Sequence, residues 1–557
     1  MEVKILMKKL HSFILLLSLA FTLSGCQFFN PILSSNSSSS DITSSFSSGS
    51  TTIEKVKVLF DNGESIDSVY VEKGNKVEIP QNPTKKDYEF KGWYLNDQLY
   101  DFDNLINQEI TLSAKWEYNA LISSKKTKFD NALYLDGKKE IGPLTEGVLP
   151  SKKTIEKDPH ILIVPLRLSK FYNPLKYSKY LKDIEIAFTG DEKETGWESV
   201  SSYYKKSSYG QLNFEFTMID EWFYDSSITE NSMQQMYTEY YYHNGEDDPN
   251  EYILSKVLDY YDDQLDYSLL DSDKDQFIDG IWIIYDVPVN FEDEKSMFWA
   301  YSSQTYEWYD ASSETTIDNT KARDNVYPYY YAWAGIDFMY PTINTPKYNT
   351  NNIIIDAHTY IHETGHLLGL DDYYDYDENR GPSRGLYGAD MMDDNIGDHC
   401  PISKLLLGWI EPIVVNGKGN IDIDLRPFTT SGDVILLSFE PIDSIYSNYY
   451  LIEYYTNDGL NSNDQPISNG RGIRITKVNA ELNIKNGIVS SNGGAYSTSF
   501  KYDNSDESEV FVEMLGVSNQ DLVKDDLLLV NENLNFDRFE INVKEINDIA
   551  KINVKIK

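Results

Sequence analysis

The sequence predicts a multidomain α+β protein: a small β module near the N-terminus, a mixed core built around one functional helix, and a β-sandwich-like C-terminal region. Three observations carry this prediction. The chain has 557 residues, several times one compact domain, and 41% of them are hydrophobic, enough to fill more than one core. Short alternating strands cluster at residues 55–117 and again at 411–557. Between them, the stretch Ile353 to Leu370 combines helical periodicity with metal-ligand spacing.

Charge and cysteine content narrow the function classes. Lys plus Arg number 49 against 89 Asp plus Glu, a net charge of −40, which repels nucleic acid and anionic lipid head groups. The two cysteines, Cys26 and Cys400, exclude a disulfide framework and any cysteine-based zinc cluster.

At the N-terminus, Lys8 and Lys9 precede an apolar run from Leu10 to Phe21. The run is short for a bilayer span but suits the core of a signal peptide. It ends in Leu23-Ser24-Gly25-Cys26, which resembles a bacterial lipobox. That resemblance implies that residues 1–25 are a lipoprotein signal peptide cut before Cys26, whose thiol then carries the lipid. The expected location is the outer face of the cell membrane. An ordinary signal peptide with an incidental cysteine is the competing reading, and Met7-Lys8-Lys9 offers an alternative start. Ser34 to Thr52 is serine-rich with few bulky residues, so residues 26–54 read as a flexible tether.

Residues 55–117 form the small β module. Alternation in Lys55–Phe60 and Ser68–Val71 marks strands, and Asn62-Gly63 supplies a turn. Phe90-Lys91-Gly92-Trp93-Tyr94, Tyr100-Asp101-Phe102 and Leu112-Ser113-Ala114-Lys115-Trp116 together resemble the internalin-type B repeat, which implies a β-grasp-like fold. Its aromatics are expected in a core, and its role as a spacer or adhesion module. Residues 118–157 follow as a linker or an inhibitory pro-segment; the sequence leaves both open.

The chemistry centres on His362-Glu363-Thr364-Gly365-His366. Residues four apart share a helix face, about 6 Å apart along the axis, so His362 and His366 can hold one metal ion. Glu363 stands beside them, placed to take a proton from an attacking water. Zinc–ligand bonds are about 2 Å, so a third ligand further along a straight helix would lie out of reach. Gly369 can end the helix in the left-handed conformation and bring Asp372 back to the metal. His358 shares the same face, yet it stands about 12 Å along the axis from His366 and cannot join it on one ion. It reads either as a neighbour of the site or as a packing residue.

The pattern His-Glu-x-x-His-x-x-Gly-x-x-Asp, followed by Tyr373, Tyr374 and Asp375, resembles the immune inhibitor A-like metalloproteases, relatives of the metzincins. The resemblance continues in Gly388-Ala389-Asp390-Met391-Met392-Asp393, where Met392 matches the methionine of a Met-turn beneath zinc. It also covers Ser403–Ile410, Ser199–Tyr204, Phe298–Tyr301 and Leu451–Tyr455, so family-like sequence runs from about 158 to 480. It implies a metzincin-like catalytic domain over residues 158–410. One catalytic Zn²⁺ would be bound by His362, His366 and Asp372, with Glu363 as general base and Gly369 and Met392 as structural parts of the site. The implied substrate is a protein or peptide and the implied state a monomer. Lys477 stands where family members often carry histidine, and no tyrosine stands shortly after the turn, so a transition-state donor stays unassigned.

Asp271, Asp273, Asp275 and Asp279 place carboxylates at alternating positions and again four later, a pattern able to converge on Ca²⁺. Gln276 replaces the usual glycine and Trp282 occupies the twelfth position, which excludes an EF-hand; a solvated acidic turn is the alternative. Asp371, Asp375, Asp377 and Glu378 form an acidic rim near the zinc motif. Two other functions compete with a zinc endopeptidase. One is a non-enzymatic surface adhesin with a vestigial zinc site, the other a zinc hydrolase of non-peptide substrates.

Overall fold

A computed structural model describes residues 54–86, 88–118, 123–129, 133–135, 138–141, 158–243, 245, 247–289, 295–305, 309–310, 315–316, 321–340, 352–374, 386, 388–442, 445, 447–463, 470–480, 482–485, 488–491, 511–516 and 527–557. The signal peptide, Cys26, nearly all of the tether, and Asp375, Asp377 and Glu378 of the acidic rim lie outside these residues. The protein is multidomain, with helices and several mixed sheets. Among the described residues, 54–118 form one compact unit and 123–557 the other.

The smaller unit is a five-stranded sheet of β1 (Lys55–Asp61), β2 (Ile66–Glu72), β3 (Tyr88–Leu95), β4 (Gln98–Leu99) and β5 (Ile110–Tyr118), in the order β2-β1-β5-β3-β4. Only β1 and β5 run parallel. Period-two patterning turns Val56, Val58 and Phe60 inward against Trp93, Ile106 and Leu112. Trp93 is thus a core residue, with Phe60 packed edge-on at 5.0 Å between ring centroids.

In the larger unit, β6 (Ser123–Lys126) precedes a second five-stranded sheet. That sheet contains β7 (His160–Leu166), β8 (Glu215–Met218), β9 (Gly280–Tyr285), β10 (Tyr301–Gln304) and β11 (Tyr330–Gly335), in the order β8-β7-β9-β11-β10. Its strands run parallel except for the edge strand β10. A parallel sheet needs both faces covered, and the sequences of β7 and β9 are apolar at nearly every position for that reason. Ile161, Ile163, Trp282 and Ile284 face α1 (Pro174–Thr189), α2 (Val200–Ser207) and α5 (His358–Leu367). Leu162, Val164, Ile281 and Ile283 face α3 (Glu230–His243) and α4 (Pro249–Tyr261).

After α6 (Met391–Asp394) and α7 (Pro401–Leu406) come strands β12 (Ile413–Asn416), β13 (Gly419–Leu425), β14 (Val434–Leu437), β15 (Asn448–Thr456), β16 (Arg471–Asn479) and β17 (Val512–Met514). The last three are β18 (Asn533–Phe536), β19 (Phe539–Ile546) and β20 (Ala550–Ile556). One sheet has the order β17-β16-β15-β14-β12-β6, the other β13-β20-β19-β18. Ile435, Leu437 and Ile452 of the first meet Ile541, Ile552 and Val554 of the second in one core. Val434, Leu436 and Leu451 point the opposite way, into the core that surrounds α5. Both faces of β14 are therefore covered, and Val434–Leu437 is a continuous buried run rather than an alternating strand. β6, from the stretch expected to link or inhibit, pairs antiparallel with β12.

Candidate metal centre

Helix α5 starts at His358, later than a helix drawn over the whole stretch from Ile353 would. The side chain of Asp356 explains the start, because its Oδ1 accepts the His358 N–H at 3.1 Å and stands 2.8 Å from His358 Nδ1. The His358 ring stacks on Trp197, with centroids 4.1 Å apart and planes 5° apart. His358 thus packs at the head of the helix and does not join the ligand group. Further along, the Tyr204 hydroxyl donates to the Ile361 carbonyl at 2.7 Å, and Trp282 Nε1 donates to Thr364 Oγ1 at 3.2 Å. These bonds fix the helix over the sheet.

The C-terminal end of α5 decides where Asp372 lands. Gly369 takes the left-handed conformation at φ 89°. Its N–H bonds the His366 carbonyl at 2.8 Å, and the Leu370 N–H bonds the Gly365 carbonyl at 3.0 Å. This pair of bonds is a Schellman cap, which reverses the chain. Asp372 returns beneath the helix, its Oδ1 2.9 Å from His362 Nε2 and 3.4 Å from His366 Nε2. One donor atom from each of the three residues lies within 4.8 Å of the others.

The donor set fits a zinc-like ion. His362 Nδ1 faces the Met391 carbonyl at 2.9 Å and His366 Nδ1 faces the Leu370 carbonyl at 2.7 Å. A carbonyl only accepts, so each Nδ1 carries a proton and each Nε2 is left to present its lone pair inward. Two imidazole nitrogens and one carboxylate oxygen are a common zinc set with room for one more ligand. The mutual attraction of the three groups also shows in their electrostatics. Burial pulls the His366 imidazolium down, but the Asp372 carboxylate outweighs it and holds the group up to about 10. His362 is raised and Asp372 well lowered by the same opposition of burial and mutual attraction. Burial pushes the Glu363 carboxyl up. Its Oε2 is buried with no hydrogen-bond partner among the described residues.

Several residues of the centre were not singled out from the sequence. Gly365 is one: a Cβ there would clash with Met392 Sδ and lie 3.2 Å from the Tyr204 hydroxyl. Met392 therefore packs directly against α5. A glycine inside a helix was the available signal, since it costs about 1 kcal/mol relative to alanine and needs a compensating reason. Tyr204 is another, and its contact with the site crosses 157 residues of chain; the sequence placed Asp390 only as part of the turn before Met392, whose N–H its side chain accepts.

The acidic loop behaves differently at its two ends. Asp271, Asp273 and Asp275 offer oxygens within 4.8 Å of one another. The Asp275 N–H donates to Asp271 Oδ1 at 3.0 Å, and Gln276, where such loops usually carry glycine, takes a positive φ of 77°. Asp279 stands outside this group. Its carboxylate accepts the His160 N–H at 2.7 Å and the Ser272 N–H at 3.3 Å, and burial pushes it up to about 6.

Residues 57–115 match the Listeria-Bacteroides repeat domain. The match falls on the residues that resemble an internalin-type B repeat and on the smaller unit of the structure. No curated protein matches the chain. No helix among the described residues is long and apolar enough to cross a membrane.

Proposed function

We propose that this protein is a zinc-dependent endopeptidase with a metzincin-like core of the immune inhibitor A kind, exported and held at the cell surface by lipid on Cys26. The observation that carries the proposal is the convergence of His362, His366 and Asp372 beside a buried, unpartnered Glu363 oxygen. His362, His366 and Asp372 would hold the ion. When bound, zinc supplies a Lewis acid that polarises a peptide carbonyl and acidifies water. Glu363 takes the proton of the attacking water and delivers it to the leaving amine, a task suited to a carboxyl raised by burial. The Met391 and Leu370 carbonyls keep both imidazoles in the Nδ1–H tautomer throughout. Met392, packed under Gly365, takes the Met-turn position.

In this reading the β-grasp-like repeat is a spacer, the protein acts as a monomer on protein or peptide substrates, and the Asp271–Asp275 loop is a calcium site. The decisive variant is Glu363→Ala. Casein hydrolysis should fall at least about a hundredfold, while bound zinc, measured by atomic emission, stays at the wild-type level. Wild-type turnover in that variant would sink the mechanism.

A further inference from the structure

We propose that Asp390 is a positioning residue which, through a single turn, sets two of the three ligands of the metal centre; the inference rests on the zinc reading above. Asp390 is completely buried. Its carboxylate accepts the Met392 N–H at 2.7 Å, the Cys400 N–H at 2.6 Å and the Ser403 hydroxyl at 2.8 Å. His399 Nδ1 stands 3.3 Å from the same group. One donor belongs to the start of α6 and the others to the approach and first turn of α7, so one carboxylate clamps these two elements together.

What the clamped turn presents is specific. The Met391 carbonyl accepts His362 Nδ1 at 2.9 Å, and the Met392 carbonyl accepts the Tyr373 N–H at 3.0 Å. Tyr373 directly follows Asp372. Two successive carbonyls of one turn thus orient the His362 ring and anchor the backbone of Asp372. His366 is different, because the Leu370 carbonyl orients it from within the cap of its own helix. Any shift of the turn would therefore move His362 and Asp372 relative to His366. Converging donors require an acceptor-only group. An asparagine would aim its own N–H at one of them and lose the charge-assisted strength of the rest.

The test compares Asp390→Asn, the milder Ser403→Ala, and Val257→Ala on the far side of the sheet in α4. The full soluble chain from Gln27 onward is used, with three readouts: Zn²⁺ affinity by competition with a chromophoric chelator, the visible spectrum of the Co²⁺-loaded protein, and the thermal midpoint of the metal-free chain. Asp390→Asn should bind Zn²⁺ at least about tenfold more weakly, the range for residues that orient ligands, and should shift the Co²⁺ bands. Ser403→Ala should lower affinity by a smaller factor, about threefold, while Val257→Ala lowers the midpoint without touching affinity or spectrum. Wild-type affinity and spectrum in Asp390→Asn would overturn the proposal, as would an equal loss of affinity in Val257→Ala. If Asp390→Asn fails to fold, unchanged affinity and spectrum in Ser403→Ala overturn it instead. A wild-type chain that binds no Zn²⁺ overturns the zinc reading itself, which separates the two failures.

Discussion

At the residue scale, Gly365 shows how the centre is built from close approach rather than from ligands alone. Alanine is the better helix former by about 1 kcal/mol, but a Cβ at 365 would strike Met392 Sδ. Gly365→Ala should therefore destabilise the protein by about 1–3 kcal/mol, the usual cost of overpacking, measured by urea unfolding. Asp279 makes a pH-dependent prediction. Its folded value, about 6, lies above the ordinary aspartate value of 3.8. A raised carboxyl favours the fold when protonated, so its contribution is full below about pH 4 and is lost as pH rises through 6. Relative to Asp279→Asn, the wild type should lose about 2 kcal/mol between pH 4 and pH 7 in calcium-free buffer. A difference that stays flat with pH would refute this. The convergence of His362, His366 and Asp372 was legible because helix geometry gives residues four apart one face and because Gly369 marks where the chain turns. Tyr204 was not, since its bond to the Ile361 carbonyl spans 157 residues of sequence. Asp390 carried no pattern that distinguishes a hub from a turn aspartate.

At the element scale, the end of α5 does more than terminate a helix. Gly369→Ala would place an L side chain at φ 89°, which costs about 1–2 kcal/mol. The expected outcome is a lower unfolding free energy together with weaker Zn²⁺ binding, because the cap delivers Asp372. Unchanged zinc affinity would show that the cap and the third ligand are independent. The start of the same helix at His358 is not visible in the periodicity of Ile353–Leu370. A local hydrogen bond from the His358 N–H to Asp356 fixes the true start, and such side-chain competition is weak in a periodicity reading. β14 illustrates the converse. Val434–Leu437 reads as a strand, but its double burial follows from which elements cover it, and no local pattern encodes that.

At the scale of the whole molecule, the repeat unit and the remainder have separate cores, whereas the C-terminal sheets and the metal centre do not. Leu436 and Leu451 share a core with Tyr360 and Ile361 of α5. A chain ending at residue 410 should therefore fail to fold, while one beginning at residue 119 should retain peptidase activity, both judged by circular dichroism and casein turnover. β6 adds a constraint on residues 118–157: besides its ladder with β12, Lys126 pairs with the buried Asp433 at 3.0 Å. The separate small β module was readable from alternation and composition, whereas the union of the middle and the β-rich end in one unit was not. The recruitment of β6 across nearly 300 residues was not, because strand pairing partners are set by the assembled sheet edge.

The most direct measurement is casein hydrolysis by the soluble chain from Gln27 onward, assayed before chelation, after chelation, and after stoichiometric Zn²⁺ is restored. Cleavage that disappears with chelator and returns with Zn²⁺ is the expected result. Cleavage indifferent to the chelator, or no cleavage by a chain shown to carry one zinc, would contradict a zinc endopeptidase.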